Sequence, residues 1–275
     1  MQFSAVIPVY NGAEKIAATI RGMLDQVSVQ SGKDSVEIIV VDGASSDGTA
    51  DVARAFGPDQ VSVISEPDIG MYDALAKGLS RARGEVTCYL PAGETYDPHA
   101  FSVVSEVMSE NPQIKWLTGR GTSRNERGQI TSSRVPHPYH RNLFRCGAYG
   151  DPLWALQQES TFWRTELHSD LDMDRLRCLK LAGDFFLWWS FAERHELYVV
   201  NAILSAFTFE EGQLSRRNPG AYEAELRSIA RAPTLRERWQ IARSKRPQRR
   251  IIPRVNSARL LSWSHEEHRW RLARD

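Results

Sequence analysis

The segment Val36-Glu37-Ile38-Ile39-Val40-Val41-Asp42-Gly43-Ala44-Ser45-Ser46-Asp47-Gly48-Thr49 decides the fold. Its β-branched run, Val36–Val41, fits a strand buried on both faces of a parallel sheet. The run stops at Asp42, Gly43–Gly48 is rich in turn formers, and Thr49–Phe56 resumes a helical pattern. Strand, polar turn and helix in that order are one half of a βαβ unit. The same order surrounds it. Phe3–Ile7 is a short apolar run stopped by Pro8, after which Ile16, Ile20, Leu24 and Val27 recur at helical spacing. Val61–Ile64, Met71–Ala82, Glu85–Leu90 and Pro98–Glu110 continue as strand, helix, strand and helix, closed by Asn111-Pro112. The pattern predicts an α/β fold with a mostly parallel central sheet flanked by helices.

Beyond residue 112 the alternation loosens. Trp116–Thr118 reads as a strand, and Arg120–Arg134, with Asn125-Glu126-Arg127-Gly128 at its middle, as a surface hairpin. Asp184–Ala192 is aromatic-rich and predicts a buried helix, and Tyr198–Phe207 another strand. Gly220–Asp275 reads as helical and basic, with Trp239, Trp263 and Trp270 among arginines.

Charge divides the chain. Residues 216–275 hold 16 Lys/Arg against 6 Asp/Glu, a net +10, whereas residues 1–215 hold 19 against 28, a net −9. The basic region packs on the body through its Trp/Leu side, or lies at a membrane surface with Trp at headgroup depth and Arg toward anionic lipid. A nucleic-acid surface is disfavoured, because the acidic body repels phosphate. No run approaches the roughly 18 apolar residues of a spanning helix, and no secretory signal is visible, so a cytoplasmic protein is expected. Cys88, Cys146 and Cys178 are too few and too scattered for a disulfide framework or a zinc motif.

Parallel sheets bind ligands beyond the carboxyl ends of their strands, and polar residues collect at four such ends. The first is Ile7-Pro8-Val9-Tyr10-Asn11. The second begins at Asp42, whose carboxylate is placed to accept hydrogen bonds from a base or ribose; Ser45, Ser46 and Asp47 equally suit helix capping. The third is Glu66-Pro67-Asp68-Ile69-Gly70-Met71-Tyr72-Asp73-Ala74, where Asp73 and Lys77 stand one helical turn apart and can pair. The fourth is Leu90-Pro91-Ala92-Gly93-Glu94. His137 and His140 lack metal-ligand spacing and read as loop residues.

These segments, with Lys77-Gly78 and Ala82-Arg83-Gly84-Glu85, resemble the family 2 glycosyltransferases over residues 3–97, and more loosely to about 215. The resemblance implies a GT-A fold over 1–215, with a nucleotide-sugar-binding half (1–97), an acceptor and catalytic half (98–215) and a basic, helical C-terminal region (216–275). It implies an inverting transfer from a nucleotide-sugar, a UDP-sugar by family frequency, to a saccharide or polyprenyl-linked acceptor at the inner membrane face. Pro8, Tyr10, Asn11, Asp42 and Asp68 would line the nucleoside pocket. Lys77, Gln158 and Arg216 (or Arg217), the last in a loop closing over the diphosphate, would complete the donor site.

One segment departs from the family pattern. Members usually carry an aspartate-rich metal motif after the fourth strand, and a subgroup carries Asn-x-Gly-Asp. Here the run is Pro91-Ala92-Gly93-Glu94, which leaves Glu94 as the one carboxylate for Mg²⁺ or Mn²⁺. Gln157–Arg164 resembles the segment approaching the donor sugar, and Ala182–Trp188 the segment bearing the catalytic carboxylate. Asp184 is then the expected base, with Glu159 in reserve and helix capping as Asp184's other reading. A binding protein on a GT-A scaffold with a degenerate metal motif is the alternative function. A nucleotidyltransferase or a dehydrogenase fits poorly, because no glycine-rich phosphate loop follows the first strand.

Overall fold

The computed structural model describes residues 1–136, 139–150, 153, 155–208, 220–244 and 259–272. Strands β1 (Gln2–Val9), β2 (Ser35–Asp42), β3 (Val61–Ser65) and β4 (Val86–Tyr89) run parallel in the spatial order β3-β2-β1-β4. Helix α1 (Ala13–Leu24), the single turn α2 (Val27–Gln30), α3 (Thr49–Arg54) and α4 (Met71–Leu79) connect them. Strand order reverses at β1, which makes the β1/β4 boundary the switch point where such sheets bind ligands.

The ladder parts at that boundary. Strand β1 pairs with β4 only as far as Val6 and Tyr89, where the Leu90 N–H donates to the Val6 carbonyl at 3.0 Å. Peptide groups alternate sides along a strand, so Val6 and Pro8 face β4 while Val9, accepting from Gly43 N–H at 3.0 Å, faces β2. Pro8 therefore lacks its N–H on the side where pairing has already ended, which is why a proline is tolerated in a central strand.

Helix α5 (Ala100–Glu110), β5 (Trp116–Thr118), β6 (Gly121–Arg124), β7 (Ile130–Arg134), α6 (Arg141–Arg145) and β8 (Thr161–Arg164) follow. Then come α7 (Met173–Cys178), α8 (Gly183–Phe191), β9 (Leu197–Val200), β10 (Phe207–Thr208), α9 (Ala221–Ile229), α10 (Leu235–Ser244), β11 (Leu260–Ser264) and β12 (Arg269–Leu272). Strand β8 lies antiparallel between β4 and β5, and β9, β11 and β12 extend the sheet to nine strands. Strands β10, β6 and β7 form a second, smaller sheet.

Core packing lies on both faces of the large sheet. On one, Phe3 stacks on Phe101 at 4.3 Å. On the other, Trp116, Trp163 and Trp188 pack with Phe191 of α8. Helix α8 buries residues around most of its circumference, as an interior helix does.

Two expectations change. Tyr198–Phe207 is not one strand: β9 ends at Val200, Asn201 accepts from the Arg120 guanidinium at 2.6 Å, and the chain restarts as β10 in the other sheet. The basic C-terminal region is not helical throughout, because Leu260–Leu272 forms the β11/β12 hairpin. Leu260 and Leu261 complete the open edge of β9, and Trp263 and Trp270 face each other across the pair at 5.6 Å. A sheet edge beside a short aromatic segment overrides its helical composition. Helix α9 packs on the body through Leu226 and Ile229, whereas α10 leaves Leu235 and Trp239 exposed.

Candidate active site

The loops after β1 and β2 are clasped together by side chains. Asn11 N–H donates to Ser45 Oγ at 2.7 Å, and Ser46 N–H to Asn11 Oδ1 at 3.1 Å. Asp47 accepts from Ala13 N–H and Thr49 N–H, each at 3.0 Å, so it sets the starts of α1 and α3, as the capping reading anticipates. Asn11 and Ala44 hold φ of 49° and 59°, a left-handed conformation that asparagine tolerates and alanine adopts at a cost of about 1–2 kcal/mol. Tyr10 projects from this clasp, 67% exposed.

Asp42 lies beneath the clasp, fully buried. It accepts from Ser65 Oγ at 2.6 Å and from Ser45 N–H at 3.2 Å, so its carboxylate ties β2 to β3 and holds the loop above it. Asp68 reaches over from the third strand end. It accepts from Gly70 N–H at 2.9 Å and stands against Gly43, and burial raises its pKa. Lys77 makes the pairing with Asp73 that its spacing predicts. Its ammonium donates to the Pro67 carbonyl at 3.0 Å and pairs with Glu66 at 3.0 Å and Asp73 at 3.3 Å, which occupies its donors and fastens the Glu66–Asp73 loop onto α4. Arg216, with the loop around it, lies outside the described residues.

Past the split in the sheet, Gln158 Nε2 donates to the Tyr89 carbonyl at 2.5 Å, which anchors the Gln158–Ser160 turn to the end of β4. Glu94 follows on the same strand end. Its Oε2 accepts from the Arg124 guanidinium at 3.0 Å and from Thr208 Oγ at 3.1 Å. Burial raises the Glu94 pKa, opposed by Arg124 and Thr208. Arg124 belongs to the hairpin expected at the surface, and its inward reach leaves no trace in the sequence. A divalent ion fits these residues poorly. It takes about six oxygen ligands, and among the described residues no three His, Cys, Asp or Glu side chains stand together to supply them. Glu94, the expected ligand, is already held by a guanidinium.

Asp184 opens α8, where its Oδ1 accepts from Phe185 N–H at 2.7 Å. The Tyr222 hydroxyl of α9 donates to it at 3.3 Å, and Tyr72 of α4 lies at 3.5 Å with its proton shared to the Leu181 carbonyl at 3.1 Å. Burial pushes the Asp184 pKa up to about 6, although these hydrogen bonds pull the other way. The side chain still keeps some exposure. Asp184 is not the N-cap of α8, a position that Ala182 holds. Glu225 of α9 holds the segment leading into the helix, accepting from Lys180, Leu181 and Ala182 N–H at 2.8, 2.7 and 2.6 Å. Gly183 permits the packing, since a Cβ there would meet the Tyr72 ring at 2.3 Å. Glu159 is buried, and burial, then the charges of Glu94 and Asp184, drives its pKa up to about 8. Glu159 thus feels the carboxylates on both sides of the site, and it keeps its proton at neutral pH.

Sequence reading alone missed Tyr72, Tyr222, Glu225 and Arg124. Tyr72 lay within a quoted motif, but its partner is 112 residues away. A separate cleft of about 460 Å³ borders Arg141, Arg145, Glu193, Arg231 and Arg259 at the other end of α8. There Arg145 pairs with Glu193, Arg231 with Glu237 and Arg259 with Glu196, so these arginines are ion-paired within the fold.

Comparisons with known proteins agree with this architecture. The family model described as Glycosyl transferase family 2 matches residues 4–154. A PGL/p-HBAD biosynthesis glycosyltransferase of Mycobacterium bovis is 31% identical over 113 residues, covering 40% of this chain and 42% of that protein. Glycosyltransferase AglE of Haloferax volcanii is 33% identical over 90 residues, 32% of this chain and 29% of its own. The match thus spans less than half the length of either curated relative. Among solved structures, S. aureus TarS 1-349 in complex with UDP-GlcNAc superposes with a TM-score of 0.59 at 17% identity, covering 78% of this chain and 60% of that one. The mannosyltransferase PcManGT of Pyrobaculum calidifontis, in complex with GDP-Man and Mn²⁺, does so with 0.53 at 17%, covering 92% and 67%. At such identities the structures speak for the fold, while the family model spans more than half of the chain: the chain belongs to glycosyl transferase family 2.

Proposed function

We propose that the chain is an inverting glycosyltransferase, hexosyl or N-acetylhexosaminyl in type, acting in cell-surface polysaccharide assembly. It takes a sugar from a nucleotide-sugar, a UDP-sugar in the first instance, and passes it to a saccharide or polyprenyl-linked acceptor. The observation that carries this reading is Asp184, a partly exposed carboxylate with a pKa near 6 on the acceptor side of the split sheet. In the transfer an acceptor hydroxyl attacks the sugar's C1 from the face opposite the leaving group. Asp184 takes the hydroxyl proton as the new C1–O bond forms, and the old C1–O bond breaks with its electron pair leaving on the diphosphate. A carboxylate with a pKa near 6 is ionised at neutral pH and basic enough to share that proton. Tyr10, Asn11 and Asp68 supply the nucleoside wall, with Tyr10 free to stack on a base; Asp42 and Lys77 hold its loops, and Gln158 fixes the turn beside the sugar.

The protein meets the acceptor at the inner membrane face in this reading. Helix α10 supports it, with Leu235 and Trp239 exposed 83% and 64% amid Arg236, Arg238 and Arg243. Among the described residues no helix is long and apolar enough to cross a membrane. The commitment of Glu94 to Arg124 favours a second reading, a binding protein on a GT-A scaffold. Hydrolysis or transfer assays with UDP- and GDP-sugars decide between them. Turnover that falls at least about 100-fold in Asp184→Asn supports the enzyme, and tight donor binding with no turnover supports the scaffold.

A further inference from the structure

We infer that Arg124, not a divalent metal ion, provides the positive charge for the donor's diphosphate, with Glu94 as the residue that positions it. The inference rests on the glycosyltransferase reading above and concerns the same donor site.

Arg124 is built into the strand end. A register shift between Ser123 and Arg124 interrupts the β6/β7 ladder, and such bulges re-aim a side chain. On its other edge β6 pairs with β10, which puts Arg124 level with Thr208. Three different guanidinium nitrogens are then engaged: Nε by Thr208 Oγ at 2.7 Å, Nη1 by Thr95 Oγ at 2.8 Å and Nη2 by Glu94 Oε2 at 3.0 Å. Thr208 also donates to that Glu94 oxygen, which closes a ring of contacts around the pair. The Arg124 and Glu94 side chains are 18% and 14% exposed, so solvent screens the pair only weakly.

Two consequences follow from charge. A dication at Glu94 would sit beside a fixed guanidinium on the same carboxylate, like charge against like, with one carboxylate to hold it. The arginine, by contrast, is a cation already in place. A guanidinium carries five N–H donors, of which the three contacts use three, leaving two for phosphate oxygens. When the C1–O bond breaks, the electron pair stays on the diphosphate, and a preorganised cation stabilises that developing charge without moving. Glu94 gains a role that needs no metal: its carboxylate and the two threonine hydroxyls fix the plane of the guanidinium.

The test is calorimetric titration of the full chain with UDP and with GDP, each in EDTA and in Mn²⁺, followed by the same titrations on Arg124→Lys. The expected result is that one nucleotide binds the wild-type chain with a Kd that differs less than about 2-fold between EDTA and Mn²⁺. Arg124→Lys, which keeps the charge but loses the fork, then binds that nucleotide about 10-fold more weakly while its parent nucleoside binds as before. Binding that requires Mn²⁺ overturns the inference and leaves the glycosyltransferase reading standing. Unchanged nucleotide affinity in Arg124→Lys overturns the assignment to Arg124, as does equal weakening of nucleotide and nucleoside. Absence of binding in every buffer overturns both the inference and the function beneath it.

Discussion

At the scale of single residues, the site separates two carboxylates, Glu159 buried and Asp184 partly exposed, by their protonation. Asp184 titrates near 6 and Glu159 near 8, so at pH 7 the first is a base and the second an acid holding its proton. If Asp184 is the base, kcat holds above about pH 6 and falls below it as the carboxylate protonates. Tyr222→Phe removes a donor that favours the ionised form, so the acid limb of the pH–rate profile moves to higher pH; a limb that stays in place counts against the contact. Asp184→Asn loses at least about 100-fold in kcat with donor affinity kept. Glu159→Gln mimics the protonated state and keeps most of its activity at pH 7, which a kinetic assay reads directly. Its effect on stability has a definite sign. Between about 4.5 and 8 the folded chain holds a proton on Glu159 that the unfolded chain has released, so that group makes the fold less stable as pH rises. Glu159→Gln removes the penalty, and its thermal stability relative to wild type improves from pH 5 to pH 8.

At the scale of elements, the acceptor side depends on a helix that follows the family match. The three N–H groups of Lys180–Ala182, just before α8, are satisfied by Glu225 of α9, and Asp184 is oriented by Tyr222 on the same helix. Glu225→Ala leaves three backbone donors without their carboxylate, a cost of about 2 kcal/mol, or roughly 5 °C in Tm, and kcat falls with it because Asp184 loses its placement. A Tm within about 1 °C of wild type would show that water replaces the carboxylate without loss. Helix α10 is tested separately. Vesicles containing anionic lipid should sediment the protein, zwitterionic vesicles should not, and Trp239→Ala with Leu235→Ala should release it. Equal sedimentation of wild type and double variant would place the membrane contact elsewhere.

At the scale of the whole molecule, the sequence by itself determined the parallel β1–β4 half of the sheet. The alternation of β-branched strand, polar turn and helix is local, and each strand end carries its polar residues in its own segment, so Asn11, Asp42, Asp68 and Glu94 were all legible. Local reading also named Asp184, on a resemblance of a few residues. What those residues touch was decided only by tertiary structure. Lys77 meets Pro67 and Glu66 as well as the Asp73 its spacing predicts, because that loop folds back onto its helix. Glu94 meets an arginine that its own segment does not announce, because a bulge in a hairpin 30 residues away aims a guanidinium at it. Trp263 and Trp270 went into a sheet because β9 offered an open edge, a feature that no local composition encodes. Periodicity records how a segment meets its own neighbours, whereas the partners of a buried charge are set by chain closure over long separations, and those contacts decide its chemistry.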